Sequence, residues 1–141
     1  MTLASDRLVL DSWALLAAIY EEQPAGKKVR QWLFDAGEGK VTLWVNIINL
    51  GEIYYIAGRT RGRQRADEII RELRQLPIII DPVGEAVVLQ AARYKMRYPI
   101  SYADAFALTA AIRLDAALVT GDPELIALGD IVTIEPLQRN R

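Results

Sequence analysis

The stretch "RLVLDSWALLAAIYEE", residues 7 to 22, changes character at its fifth residue. "RLVL" is a short β-branched and leucine run that stops at Asp11, and "SWALLAAIYEE" takes up helical spacing immediately after it. A strand feeds a helix, and the rest of the chain keeps that alternation. "PAGKKVRQWLFDAG" opens at Pro24 and closes at Gly37, the start and stop signals of a helix, and "VTLWV" (41–45) reads as the second strand. "NIINLGEIYYIAG" predicts a helix ending near Gly58, then a basic turn "RTRGR" and the amphipathic helix "QRADEIIRELRQL". "PIIID" (77–81) is the third strand, "GEAVVLQAARYKMRY" a helix up to Pro99, and "AALVT" (116–120) the fourth strand after a helix that starts at Ser101. A short helix "PELIAL" and a strand "IVTIE" (131–135) complete the pattern. Strands that alternate with helices as continuous apolar runs predict an α/β fold: a mostly parallel sheet of about five strands, covered by helices on both faces.

At 141 residues with 52% hydrophobic content, the chain suits one domain over residues 1–141 with a single buried core. No repeat, low-complexity tract or linker interrupts it. The longest uninterrupted apolar run, "WALLAAIY", is too short for a membrane span, and the absence of cysteine suits a reducing compartment, so a cytoplasmic location with no membrane contact is expected. There is also no histidine. Without His or Cys the chain cannot build a Ser-His-Asp or Cys-His nucleophilic site, a histidine-pair ribonuclease or a thiolate or imidazole zinc centre. Catalysis would have to run on carboxylates, hydroxyls, lysine or a bound hard metal.

In open α/β sheets, ligands bind beyond the carboxyl ends of the strands. Asp11 follows the first strand and Asp122 the fourth, in "LVTGDPEL". Each also suits a helix N-cap, Asp122 with Pro123 behind it at the first helical position. Asp104, in "YPISYADAFALTAAI" (98–112), sits three residues after Ser101, the spacing of a capping box. Glu52 differs, because it lies inside the apolar helical run "INLGEIYYIA", where no cap role is open to it and the bland alternative is a solvent-facing position. If the sheet gathers these residues, like charges that close cannot all ionise without a cation or raised pKa values. Oxygen-only ligands favour Mg²⁺ or Mn²⁺, and such a pocket suits phosphate oxygens and activated water.

The ordered set "VLDSWALLA", "NLGEIYY", "SYADAFALTAA" and "LVTGDPEL" resembles the PIN-domain ribonucleases, and at this length and spacing the VapC toxins of prokaryotic toxin–antitoxin pairs. The resemblance spans Leu8 to about Ile134. It implies a three-layer PIN-like fold, and a catalytic metal site for Mg²⁺ or Mn²⁺ made by Asp11, Glu52, Asp104 and Asp122, supported by Ser12 and Thr120. It implies a metal-dependent endoribonuclease that hydrolyses structured RNA, tRNA or rRNA, to 5′-phosphate and 3′-hydroxyl ends. It also implies a homodimer formed through the region of Tyr54, Tyr55 and Ile56, and a VapB-like antitoxin whose C-terminal segment blocks the acidic pocket. Trp13 stands where many members of the family carry a smaller or polar residue. The alternative is a catalytically inactive RNA- or protein-binding module of the same fold.

Net charge is -1, but 13 of the 17 basic residues are Arg and they cluster. Arg59, Arg61, Arg63 and Arg65 surround a glycine with no acid among them, which suits phosphate contact. Arg93, Lys95 and Arg97 interleave with Tyr94 and Tyr98, the mixture that grips backbone and stacks bases. Both clusters also suit an ordinary solvated helix face, since pairs such as Asp67–Arg71 stand one helical turn apart.

Overall fold

The structure, a computed structural model, describes residues 5–140. Strands β1 (Arg7–Leu10), β2 (Thr42–Asn46), β3 (Ile79–Asp81), β4 (Ala117–Thr120) and β5 (Ile134–Pro136) form one sheet in the order β3-β2-β1-β4-β5, every pairing parallel. β1 is central, with Val9 in register with Trp44 on one side and Leu118 on the other. The helices are α1 (Ser12–Ile19), α2 (Ala25–Gly37), α3 (Ile47–Arg61), α4 (Arg63–Arg74), α5 (Glu85–Arg97), α6 (Tyr102–Arg113) and α7 (Pro123–Ile126).

Side chains alternate across a strand, so each central strand supplies two cores. Leu8, Leu10, Leu43, Val45, Ala117 and Val119 pack on one face with apolar residues of α1 to α4. Val9, Trp44 and Leu118 pack on the other with residues of α5, α6 and α7. This two-sided burial explains why the strands read as unbroken apolar runs. α6 is buried from Asp104 to Ala111, and its alanines let it lie close against the sheet.

Several boundaries differ from the sequence reading by one to three residues. The strand expected at 131–135 lies at 134–136, because the amides of Ile131 and Val132 bond to the Leu128 carbonyl at 3.0 and 3.3 Å in the turn after α7. Val132 there closes the second core instead of joining the ladder. The third strand starts at Ile79 rather than Pro77. The third helix runs past Gly58 to Arg61, so the expected basic turn is two helix ends meeting at Gly62.

The chain runs outward from β1 to β2 and β3, then crosses back to β4 and β5 on the other side. The loops leaving the carboxyl ends of β1 and β4 therefore diverge, which opens a crevice at that point of the sheet. Helix α1 reaches its place there by packing tightly on α2: a Cβ on Gly26 would lie 2.7 Å from the Ala17 carbonyl oxygen. Gly26→Ala is expected to cost about 1–3 kcal/mol by overpacking. Gly37→Ala, with nothing within 4 Å of the added methyl, should be neutral or stabilising by up to about 1 kcal/mol. Urea denaturation separates the two, and equal effects would contradict this packing.

Candidate active site

The carboxylates at the crevice owe their positions to helix starts. Asp11 is the N-cap of α1, its Oδ1 accepting from the Ala14 N–H at 2.9 Å. Asp122 is the N-cap of α7, accepting from the Glu124 N–H at 2.9 Å, with Pro123 at the first helical position. For α6 the cap is Ser101, whose Oγ accepts from the Asp104 N–H at 3.1 Å. The expected capping box forms only in that half. The Asp104 carboxyl turns away from the Ser101 amide and hydrogen-bonds to the Asp122 carboxyl.

Glu52 completes the set from α3. It is partly buried rather than solvent-facing, and the Ser12 hydroxyl donates to its Oε1 at 2.5 Å. Capping and site geometry thus coexist, because an aspartate can spend one oxygen on its helix and present the other. Glu52, Asp104 and Asp122 line a cavity of about 330 Å³ with Ser12, Trp13 and Ser101. Asp11 lies behind them, 1% exposed, and its charge is felt at Asp104.

The electrostatics record the crowding. Burial pushes the Asp11 carboxyl up from 3.8 to about 7, a hydrogen bond from Thr120 and the capping bond from Ala14 pull the other way, and the charges of Asp122 and Glu52 add to the rise. Asp104 is pushed up to about 8, first by burial, then by the hydrogen bond and charge of Asp122, then by Asp11 and Glu52. Thr120, fully buried, serves both sides of the crevice, since its Oγ1 also accepts from the Asp122 N–H at 3.0 Å.

All four acids offer oxygen donors only, the ligand type that hard cations take. The donor chemistry fits Mg²⁺ or Mn²⁺. As the side chains stand, no three of them converge as a ligand set, and no such group of His, Cys, Asp or Glu occurs among the described residues. Loading an ion would require the Asp104–Asp122 contact to open.

Two positioning residues escaped the sequence reading. Asn49, fully buried, donates to the Ala103 carbonyl at 3.1 Å and so fixes α3, one turn before Glu52, against the residue preceding Asp104. Asn46 at the end of β2 caps α3 through the Ile48 N–H at 3.0 Å and donates to Asp81, which Arg113 grips at 2.6 Å. A polar residue inside an apolar helical run was the available signal at Asn49.

The basic residues lie outside the pocket. Arg59 is seven residues after Glu52, on the same face of α3 and about 10 Å farther along its axis; its guanidinium lies over Tyr55, 5.3 Å from the ring centroid. Arg61 lies over Tyr20 at 4.4 Å. Arg63 is 4.0 Å from Asp67, and Arg65 bridges Glu68 and Glu72 at 3.3 and 2.8 Å. That bridge joins Glu68 and Glu72, like charges one turn apart on α4, and occupies Arg65. Arg93, Lys95 and Arg97 are exposed on the last turns of α5, at the end where α6 begins, with Tyr94 and Tyr98 stacked beside them at 6.4 Å.

Between about pH 4 and 8 the folded chain holds protons on Asp11 and Asp104 that the unfolded chain has released. These raised carboxyls therefore make stability fall as pH rises through that window and level off above it. In EDTA, the thermal midpoint attributable to the pair should drop from pH 5 to 8.5, and Asp104→Asn should show a shallower drop and a higher midpoint at pH 8.5. An Asp104→Asn profile parallel to the wild type in a pH series of thermal melts would contradict the buried, mutually repelling arrangement.

The PIN domain family model matches residues 8–131. Among solved structures, the Mycobacterium tuberculosis toxin VapC20, described as cleaving the sarcin–ricin loop, aligns with TM-score 0.69 and 17% identity over 86% of this chain and 95% of its own. VapBC2 of Rickettsia felis, bound to a promoter DNA fragment, aligns with TM-score 0.70 and 12% identity over 94% of this chain and 99% of its own. VapBC-1 of nontypeable Haemophilus influenzae aligns with TM-score 0.66 and 17% identity over 92% and 97% of the two chains. No curated protein matches by sequence. At these identities the structures establish the shared fold, while the family match covers most of the chain and spans every one of the four acids. The protein belongs to the PIN-domain family, and its structural neighbours are VapC toxins of VapBC toxin–antitoxin systems.

Proposed function

We propose that this chain is the toxin of a type II toxin–antitoxin pair, a single-domain, metal-dependent endoribonuclease that hydrolyses phosphodiester bonds in structured RNA such as tRNA or rRNA. One observation supports the reading: three helix-start aspartates and Glu52, far apart in sequence, lie around the switch point of a PIN-domain sheet, with the Asp11 and Asp104 carboxyls pushed up by burial and neighbouring charge. Such a site is costly to fold unless it serves a cation.

Asp11, Glu52, Asp104 and Asp122 would hold Mg²⁺ or Mn²⁺, which supplies positive charge for the phosphate oxygens and makes water acidic enough to attack phosphorus. The chain's own contribution is orientation. Ser12 holds the Glu52 carboxylate, and Thr120 ties Asp11 to the Asp122 backbone. The N-terminus of α1 faces Asp11 and helps offset its negative charge. In-line attack by water on phosphorus breaks the bond to the 3′ oxygen, which leaves as the 3′-hydroxyl of the upstream fragment, and the downstream fragment keeps the phosphate on its 5′ oxygen.

Arg59, Arg61 and Arg63 at the α3–α4 junction, and Arg93, Lys95 and Arg97 on α5, offer phosphate contacts flanking the crevice. Arg65 is already paired and would contribute only by exchanging partners. Of Tyr54, Tyr55 and Ile56, Tyr55 is half exposed and offers a second copy of the chain a surface for a homodimer, while Tyr54 packs against the first core and Ile56 lines the acidic cavity. The VapBC neighbours support a VapB-like antitoxin as partner, and an antitoxin Arg or Lys would find matching charge at the crevice. No helix among the described residues is long and apolar enough to cross a membrane, which accords with action on RNA in the cytoplasm.

Incubating the purified chain with total tRNA and rRNA should give cleavage with Mg²⁺ or Mn²⁺ and none in excess EDTA. Asp104→Asn should lower the rate by roughly a hundredfold or more, and Ser12→Ala by about ten- to a hundredfold through loss of Glu52 orientation. Undiminished cleavage by Asp104→Asn would sink the assignment. RNA binding without cleavage, indifferent to metal and to loss of the carboxylates, would establish the inactive binding module instead.

A further inference from the structure

Trp13 is the aromatic residue lining the acidic cavity, and it is shared with a second cavity of about 620 Å³. That second space is walled by Gly121, Pro123, Ile126, Leu137 and Arg139. Its size falls in the range of ~300–1,000 Å³ typical of small-ligand clefts. The indole is held in a fixed place: a Cβ on Gly121 would fall 2.3 Å from its benzo ring, so only glycine lets the ring lie there.

Arg139 is fixed beside it. Its guanidinium carbon lies 5.0 Å from the Trp13 ring centroid, and its Nη1 pairs with Glu22 at 3.1 Å. The backbone around it is pinned by bonds from Leu137 N–H to the Thr120 carbonyl at 2.8 Å, from Ala25 N–H to the Gln138 carbonyl at 2.9 Å and from Asn140 N–H to the Gln23 carbonyl at 2.7 Å. The side chain is still 41% exposed. A cation and a flat ring are thus presented together, next door to a pocket of carboxylates that would by itself repel a polyanion.

Resting on the nuclease reading above, we propose that this cavity is a nucleotide subsite, which takes an unpaired nucleotide flanking the scissile phosphate. The base stacks on the outward plane of the Arg139 guanidinium, which the Trp13 ring backs from beneath, and the phosphate finds the remaining guanidinium N–H groups. Trp13 and Arg139 therefore set which RNA conformations enter: a strand with a splayed-out base is accepted, and a paired one is not.

The test is binding of a fluorescein-labelled single-stranded oligoribonucleotide to the metal-free chain in EDTA, read by anisotropy. Trp13→Ala should weaken binding roughly tenfold, the scale of one lost stacking contact, and Trp13→Phe should stay close to wild type. Arg139→Gln should weaken binding several-fold. On an oligonucleotide of abasic residues the Trp13→Ala loss should vanish, which a merely structural role for Trp13 would not produce. Wild-type affinity in both Trp13→Ala and Arg139→Gln, or no wild-type binding at all, overturns the subsite. If Trp13→Ala fails to fold, Arg139→Gln and the abasic comparison on wild type decide alone. Because no metal or turnover enters this assay, its outcome is independent of the Asp104→Asn cleavage result, so failure of the subsite and failure of the nuclease reading are told apart.

Discussion

Asp11, Asp104 and Asp122 cap or open helices, and with Glu52 they are pressed into one crevice where burial and neighbouring charge oppose the ionisation of Asp11 and Asp104. The surrounding architecture exists to hold that arrangement. The parallel sheet, whose crossover from β3 lays β4 directly beside β1, brings the first and last aspartates to neighbouring strand ends although 111 positions separate their numbers, 11 and 122. The close α1–α2 contact at Gly26 and the Asn49 bond from α3 to α6 fix the two helices that carry Ser12 and Glu52. Thr120 spans the gap from the β4 side.

The capping chemistry carries a second consequence. An N-cap aspartate is tied to its helix by one oxygen, so each carboxylate is oriented before any ligand arrives. Asp104 is oriented differently, by its partner Asp122 rather than by its helix, because Ser101 has already satisfied the helix start. This leaves Asp104 the aspartate whose carboxyl is tied to no helix amide, with its pKa pushed up to about 8. It is the natural point at which protonation and cation occupancy compete.

Most of the fold was legible in the sequence, because strands buried on both faces announce themselves as apolar runs and helices announce their ends through Pro24, Gly37 and Ser101. β5 was displaced because "IVTIE" has strand composition throughout, while the turn after α7 takes Ile131 and Val132 for its own hydrogen bonds and for the second core. The α3 helix outran Gly58 because a single glycine is tolerated in a helix, and its carbonyl accepts the N–H of Gly62 at the true end. At the site, the four acids could be named from their place in the alternating pattern together with the family resemblance. The resemblance also supplied Ser12 and Thr120 as supports, but not Asn46 and Asn49, which act across elements through partners 35 and 54 positions away, and local spacing carries no trace of such contacts.

The central claim is that the four carboxylates form one cation site. Its most direct test is anomalous scattering from crystals of the chain soaked in Mn²⁺. The account predicts a manganese peak between Asp11, Glu52, Asp104 and Asp122, with Asp104 and Asp122 moved apart to receive it. A fully soaked crystal with no peak there, and with the Asp104–Asp122 contact intact, would contradict it.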